Sequence, residues 1–180
     1  MYPPEGTLSA QGYEIQHATH VLGPYLLTSM LLPLLQDSRI LWAGSLVIDL
    51  HSPSTGIAFD TPASTTTQTP KPIPSPITHP TKETNYAQSK AGDLFLAVTF
   101  GQRYPSKNLA SISFNPGSLD TGLLRHTNPI VEGVAKKVLL QKAIFGAYTE
   151  LGAGWGDMGK DYEGGKGWYG IPWGRNGVSF

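Results

Sequence analysis

The chain has 180 residues, the length of one domain, and at 39% hydrophobic and 10% aromatic it can build a sizeable core. Thirteen basic and thirteen acidic residues cancel and only 14% of positions are charged, so no basic field exists to attract nucleic acid or an anionic membrane surface. Cysteine is absent, which excludes disulfides, thiolate catalysis and cysteine-ligated metals, and the five histidines are scattered without a carboxylate-bearing metal motif, so no metal is expected.

The opening residues, Met1-Tyr-Pro-Pro-Glu-Gly6, lack the basic and apolar regions of a signal peptide and read as loop. Ser9 is a candidate helix N-cap. From Gln11 to Gln36 the apolar spacing predicts one long helix, with a kink near Gly23-Pro24 or at Pro33. Its run from Val21 to Leu35 is short and interrupted by Pro24, Thr28, Ser29 and Pro33, so a buried helix is expected rather than a membrane span. These features together predict a soluble, cytoplasmic chain. Residues 39–45 (Arg-Ile-Leu-Trp-Ala-Gly-Ser) form an apolar run suited to a buried strand, and residues 46–59 read as an irregular excursion.

The stretch from Asp60 to Thr84 holds six prolines and eight threonines in 25 residues, with Ile73 and Ile77 as its only large aliphatics. Such a composition buries too little surface to offset its ordering entropy, so a mobile insertion over 60–84 within a single domain spanning 1–180 is expected. Asn85 to Arg103 predicts a second long helix, Leu109 to Phe114 a second strand stopped by Asn115-Pro116-Gly117, and Val131 to Tyr148 a third helix with Lys136 and Lys137 on its outer face. Glycine crowds residues 152–170, and 167–172 is a candidate last strand with Pro172 at its edge or end. The alternation of helix and strand predicts an α/β fold with a parallel sheet.

Tyr86-Ala-Gln-Ser-Lys90 carries the chemistry. A tyrosine and a lysine four apart project from one helix face, and the ammonium favours the phenolate. Such a phenol can exchange a proton with an alcohol or carbonyl near neutral pH. Taken alone, this pair more often describes a surface tyrosine beside a solvated lysine. Its context is more specific. Ser45 ends a buried strand, where parallel sheets place their ligand crevice; Asn115-Pro116-Gly117 ends the next strand, with Thr121 just beyond.

These residues, in this order, resemble the short-chain dehydrogenase/reductase family. The matching segments are 19–23 (Thr-His-Val-Leu-Gly), 39–45, 85–90 and 114–121 (Phe-Asn-Pro-Gly-Ser-Leu-Asp-Thr). Residues 12–16 and 25–29 resemble the retinol-dehydrogenase-like and WW-domain-oxidoreductase-like branch, and 146–151 with 171–175 its fungal members. The resemblance implies a Rossmann-like, three-layer α/β/α doubly wound parallel sheet and an NADP- or NAD-dependent exchange between an alcohol and a carbonyl. In that scheme Tyr86 is the general acid or base, Lys90 lowers its pKa and binds the nicotinamide ribose, and Ser45 holds the substrate oxygen. Pro116, Gly117 and Thr121 meet the nicotinamide end of the cofactor.

The sequence departs from the family pattern twice. His20 stands where the family's proton relay uses an asparagine; a histidine titrates near neutral pH, and a merely packed or solvated helical histidine is an equal reading. The family's opening strand, its Gly-x-x-x-Gly-x-Gly pyrophosphate turn and its Asn-Asn-Ala-Gly stretch are not found, so the expected architecture lacks the first βαβαβ half and the chain starts midway through the fold. Little activity is expected from these residues alone. The preferred reading is a fragment of an oxidoreductase; the alternatives are a non-catalytic pseudoenzyme that associates through its helix faces, and an α/β protein with a coincidental motif. A small apolar alcohol or ketone is the expected substrate class, with 46–54 and 123–129 selecting it, and a homodimer through the long helices is the implied assembly.

Overall fold

The computed structural model describes residues 3–4, 6–58, 81–104, 108–121, 129–157, 168–173 and 175–176. The Thr/Pro-rich stretch expected to be mobile lies outside them as far as residue 80, and so do 123–128 of the expected substrate-selecting segment and 158–167 of the glycine-rich one.

The first helical segment is more varied than the expected single helix over 11–36. It runs through α1 (Ile15–His17), a π turn (Ala18–Leu22), α2 (Gly23–Leu31) and a 3₁₀ turn (Leu32–Leu34). Glu14, not Ser9, caps it: the Glu14 carboxylate accepts the His17 N–H at 2.8 Å. Ser9 instead closes a tight turn, its N–H donating to the Tyr13 carbonyl at 2.8 Å, with Gly12 inside at φ 79°. The π turn has a local cause. Pro24 has no N–H and its ring crowds the carbonyl four residues back, so the ladder slips and Gly23 N–H reaches the Ala18 carbonyl. Pro33 tightens the far end in the same way.

β1 (Arg39–Ala43) follows, then α3 (Val47–His51), a short helix where an irregular excursion was expected. α4 (Lys82–Arg103) starts three residues before the expected boundary, so Lys82 to Thr84 belong to the helix and not to the insertion. β2 (Ala110–Phe114) and the two-residue β3 (Leu119–Asp120) come next. The expected third helix over 131–148 is two helices, α5 (Pro129–Val138) and α6 (Ala143–Trp155), parted by β4 (Gln141–Lys142). β4 pairs in parallel with β3, and the Gln141 N–H donates to the Ser118 carbonyl at 2.8 Å; this long-range pairing overrides local helical periodicity. β5 (Trp168–Ile171) and β6 (Arg175–Asn176) complete the described elements, with Pro172 just past β5.

The main sheet has the order β1-β2-β5-β6, parallel except for β6. Helices cover both faces. Trp42, Ala97 and Phe100 form the core on the α4 side, where Trp42 Nε1–H donates to Ser111 Oγ at 2.9 Å. Ile112, Phe114 and Ala153 form the core on the α6 side. The strand period of two separates these sets, since Ser111 and Ser113 turn one way and Ile112 and Phe114 the other. The architecture is therefore α/β with a parallel, Rossmann-like sheet, and β1 and β6 are its edge strands among the described residues. No helix among those residues is long and apolar enough to cross a membrane.

Phe100 is 2% exposed and packs on Trp42, Tyr25 and Tyr104, whereas Phe95 on the same helix is 44% exposed. Phe100→Ala is expected to cost about 3–5 kcal/mol in urea denaturation, and Phe95→Ala less than about 1 kcal/mol.

Candidate active site

The site is built on α4. Small residues, Ala87, Ala91, Gly92, Ala97 and Gly101, line its buried side and let neighbouring elements approach closely. At Gly92 the approach is tightest: an added Cβ would lie 2.5 Å from Val21 Cγ2 on the π turn. This contact draws the π turn onto α4 and brings His20 over Tyr86, their ring centroids 5.6 Å apart and nearly perpendicular.

Tyr86 is 8% exposed. The Lys90 ammonium stands 5.9 Å from its ring centroid, as the four-residue spacing predicts. Lys90 Nζ also donates to the Ala43 carbonyl at 2.7 Å and pairs with Asp93 Oδ2 at 3.0 Å. Ala43 ends β1, so this lysine ties α4 to the strand end that carries Gly44 and Ser45. Ser45 Oγ accepts the Val47 N–H at 3.3 Å and so opens α3. Gly44 is enclosed: a Cβ there would meet Ser113 Oγ at 3.0 Å and Tyr169 Cε2 at 3.3 Å.

The loop after β2 meets the same end of the sheet. Asn115 Oδ1 accepts the Gly117 N–H at 3.0 Å, and Gly117 has φ 92°, a left-handed conformation that an L side chain would strain. Pro116 and Gly117 are half-buried, and Gly117 faces Pro172 and Trp173. Thr121 is exposed just past β3. A cavity of about 620 Å³, lined by Gln141, Phe145, Tyr148 and Trp173, opens beside this loop. Among the described residues no group of three or more histidines and carboxylates is placed to hold a metal.

His20 fits the reading of a packed helical histidine and not that of one titrating near neutral pH. Burial, helped by the nearby Lys90 charge, holds its pKa down at about 4. It is therefore neutral near pH 7 rather than poised to titrate there, and its Nδ1 lies 2.8 Å from Ser89 Oγ, which itself donates to the Tyr86 carbonyl. Ser89, Asp93 and Tyr169 escaped the sequence reading. Asp93 was within reach of it, being three residues beyond Lys90 on one helix; Tyr169 was not, since only the sheet brings β5 beside Gly44. Burial pushes the Tyr169 phenol up to about 12; Asp49 adds to this and a hydrogen bond with Asn115 opposes it.

Three buried groups link stability to pH. His17 and His20 are both held at about 4 by burial, below their ordinary 6.5, so the unfolded chain binds more protons between those values and stability falls as pH drops. Asp93 is pushed up from 3.8 to about 6, mainly by burial, and over that range it opposes them, favouring the fold at lower pH. Two histidines outweigh one carboxylate. Urea denaturation is expected to show stability falling from pH 6.5 to 4, with the slope reduced in His20→Gln; a chain more stable at pH 4.5 than at 6.5 would contradict this.

No family model matches the chain. A short-chain dehydrogenase/reductase of Pestalotiopsis fici is 32% identical over 182 residues, covering 96% of this chain and 51% of its own length. Another, from Armillaria gallica, is 32% identical over 186 residues, covering 98% and 54%. The structure is similar to the crystal structure of an uncharacterized protein from Mycobacterium paratuberculosis, with a TM-score of 0.56 at 22% identity, over 94% of this chain and 50% of that one. The chain spans about half the length of the curated relatives it matches. With the ordered motifs and the parallel sheet, these likenesses establish that the chain belongs to the short-chain dehydrogenase/reductase family of oxidoreductases.

Proposed function

We propose that this chain carries the proton-transfer half of an NAD(P)-dependent oxidoreductase that interconverts an alcohol and a carbonyl. The observation that supports it best is the buried Tyr86 phenol beside an ammonium that is itself fixed on the strand end leading to Ser45. In the reducing direction Tyr86 gives its proton to the carbonyl oxygen, and in the oxidising direction it takes the proton from the alcohol. The Lys90 charge favours the phenolate in either direction. Ser45 holds the substrate oxygen. His20, neutral and engaged with Ser89, acts as a fixed dipole beside Tyr86 rather than as a proton carrier.

The donor set at this sheet edge suits the nicotinamide end of the cofactor: the Lys90 ammonium and Tyr86 hydroxyl for the ribose, with Pro116, Gly117 and Thr121 beside the ring. The tight Gly117 turn lets the backbone approach closely. The bound nicotinamide supplies or receives the hydride. No Gly-x-x-x-Gly-x-Gly turn accompanies these residues, so most pyrophosphate affinity lies outside them. NADP and NAD are both compatible with this site. The aromatic cavity beside Gly117 favours a small apolar alcohol or ketone as substrate.

A second reading, a non-catalytic chain that acts by association, draws on α2. Leu26, Leu27 and Met30 are 59%, 60% and 71% exposed there, a stripe that a second copy would cover in a homodimer. Sedimentation separates the readings in part: a dimer disrupted by Met30→Glu supports association, and a folded monomer counts against it.

Tyr86→Phe is expected to lower any carbonyl reduction by at least about 100-fold while leaving urea denaturation nearly unchanged. Retained turnover would remove Tyr86 as the proton donor. Titration with NADPH and NADH, read by the four tryptophans, tests cofactor binding directly. Saturation at micromolar concentrations is expected only if the pyrophosphate contacts are supplied from beyond these residues.

A further inference from the structure

We propose that Asp93 is a positioning residue for Lys90: its carboxylate holds the ammonium on the Ala43 carbonyl, so that Tyr86 faces the field of an ion pair rather than that of a bare cation. This deepens the oxidoreductase reading and rests on it for its consequence in turnover, while the ion pair itself does not.

The geometry carries the assignment. Lys90 Nζ makes two short contacts, 2.7 Å to the Ala43 carbonyl and 3.0 Å to Asp93 Oδ2. The two side chains are 11% and 5% exposed, so solvent screens the pair far less than a surface bridge. A carboxylate this buried costs free energy and persists where a partner compensates it. Here the cost shows in Asp93 itself, whose burial outweighs the help it receives from Lys90. A neutral side chain would fill the same space at lower cost. The ionised one restrains a long, flexible lysine in a single direction.

The consequence for Tyr86 follows from sign. A lone ammonium favours the phenolate, and a carboxylate on the same ammonium offsets part of that effect. Asp93 therefore sets how far Lys90 lowers the Tyr86 pKa as well as where Lys90 points. The other ionisable groups around α4 are differently engaged. Glu14 caps His17, Arg39 reaches the Ala153 and Gly156 carbonyls, and Asp49 acts on Tyr169, while His51 is exposed on α3. His20 faces both Tyr86 and the Lys90 charge, and stays neutral above about pH 4.

The test is a titration of the whole chain carrying ¹³Cζ-tyrosine, with the Tyr86 signal assigned by its loss in Tyr86→Phe. In Asp93→Asn the midpoint of the Tyr86 titration is expected to move down by about half a unit, roughly threefold in the phenolate-to-phenol ratio. Asp93→Glu is expected to return it towards the starting value. An unmoved midpoint in folded Asp93→Asn overturns the proposal. Should that variant fail to fold, Lys90→Gln serves instead. There the Asp93 carboxyl, followed by ¹³Cγ, is expected to titrate above its starting midpoint, and an unchanged midpoint overturns the proposal equally. Neither readout needs turnover. Absence of carbonyl reduction in the unaltered chain would therefore count against the oxidoreductase reading alone and leave the ion pair to be judged by the titrations.

Discussion

The hydrogen bond from Lys90 to the Ala43 carbonyl is the contact on which the site depends. It joins the middle of α4 to the end of β1. It adds a directional tie between the helix that carries the phenol and the strand that leads to Ser45, which apolar packing, strong but non-directional, does not supply. A charged donor on a backbone carbonyl adds direction, because such bonds are short and sensitive to angle.

Packing sets the stage for that contact. α4 lies close to its neighbours where its inner side carries alanine and glycine, beside larger buried residues such as Tyr86 and Phe100. Val21 fills the space left open at Gly92, and Trp42 and Phe100 fill the wider gap further along. The π turn before Pro24 follows from the same economy of space. A proline that breaks the α ladder shifts the preceding turn, and the shifted turn presents His20 to Tyr86. A feature that looks like a helix defect thus positions a residue at the site.

Buried polarity around Tyr86 is arranged to be neutral or paired. His20 is uncharged, Asp93 is tied to Lys90, and Ser89 is bonded on both sides. In such surroundings one ammonium acts strongly on its neighbour, because little water intervenes.

Much of this was legible in the sequence. The α/β class followed from alternating periodicities, and the pairing of Tyr86 with Lys90 followed from helical spacing, which is a local property. The position of Pro172 just past the end of β5 followed from its missing N–H. Other features were decided by contacts distant in the chain. The break between α5 and α6 depends on Gln141 pairing beside Leu119, and no periodicity of residues 131–148 encodes it. The neutral state of His20 depends on burial by other elements, and the second role of Lys90 depends on Ala43, 47 residues away. The sequence by itself determined which residues share a helix face or a strand face, because those periods are set by the backbone. The tertiary structure alone decided which faces meet and which charges lose their water, because burial and long-range pairing belong to the packed chain.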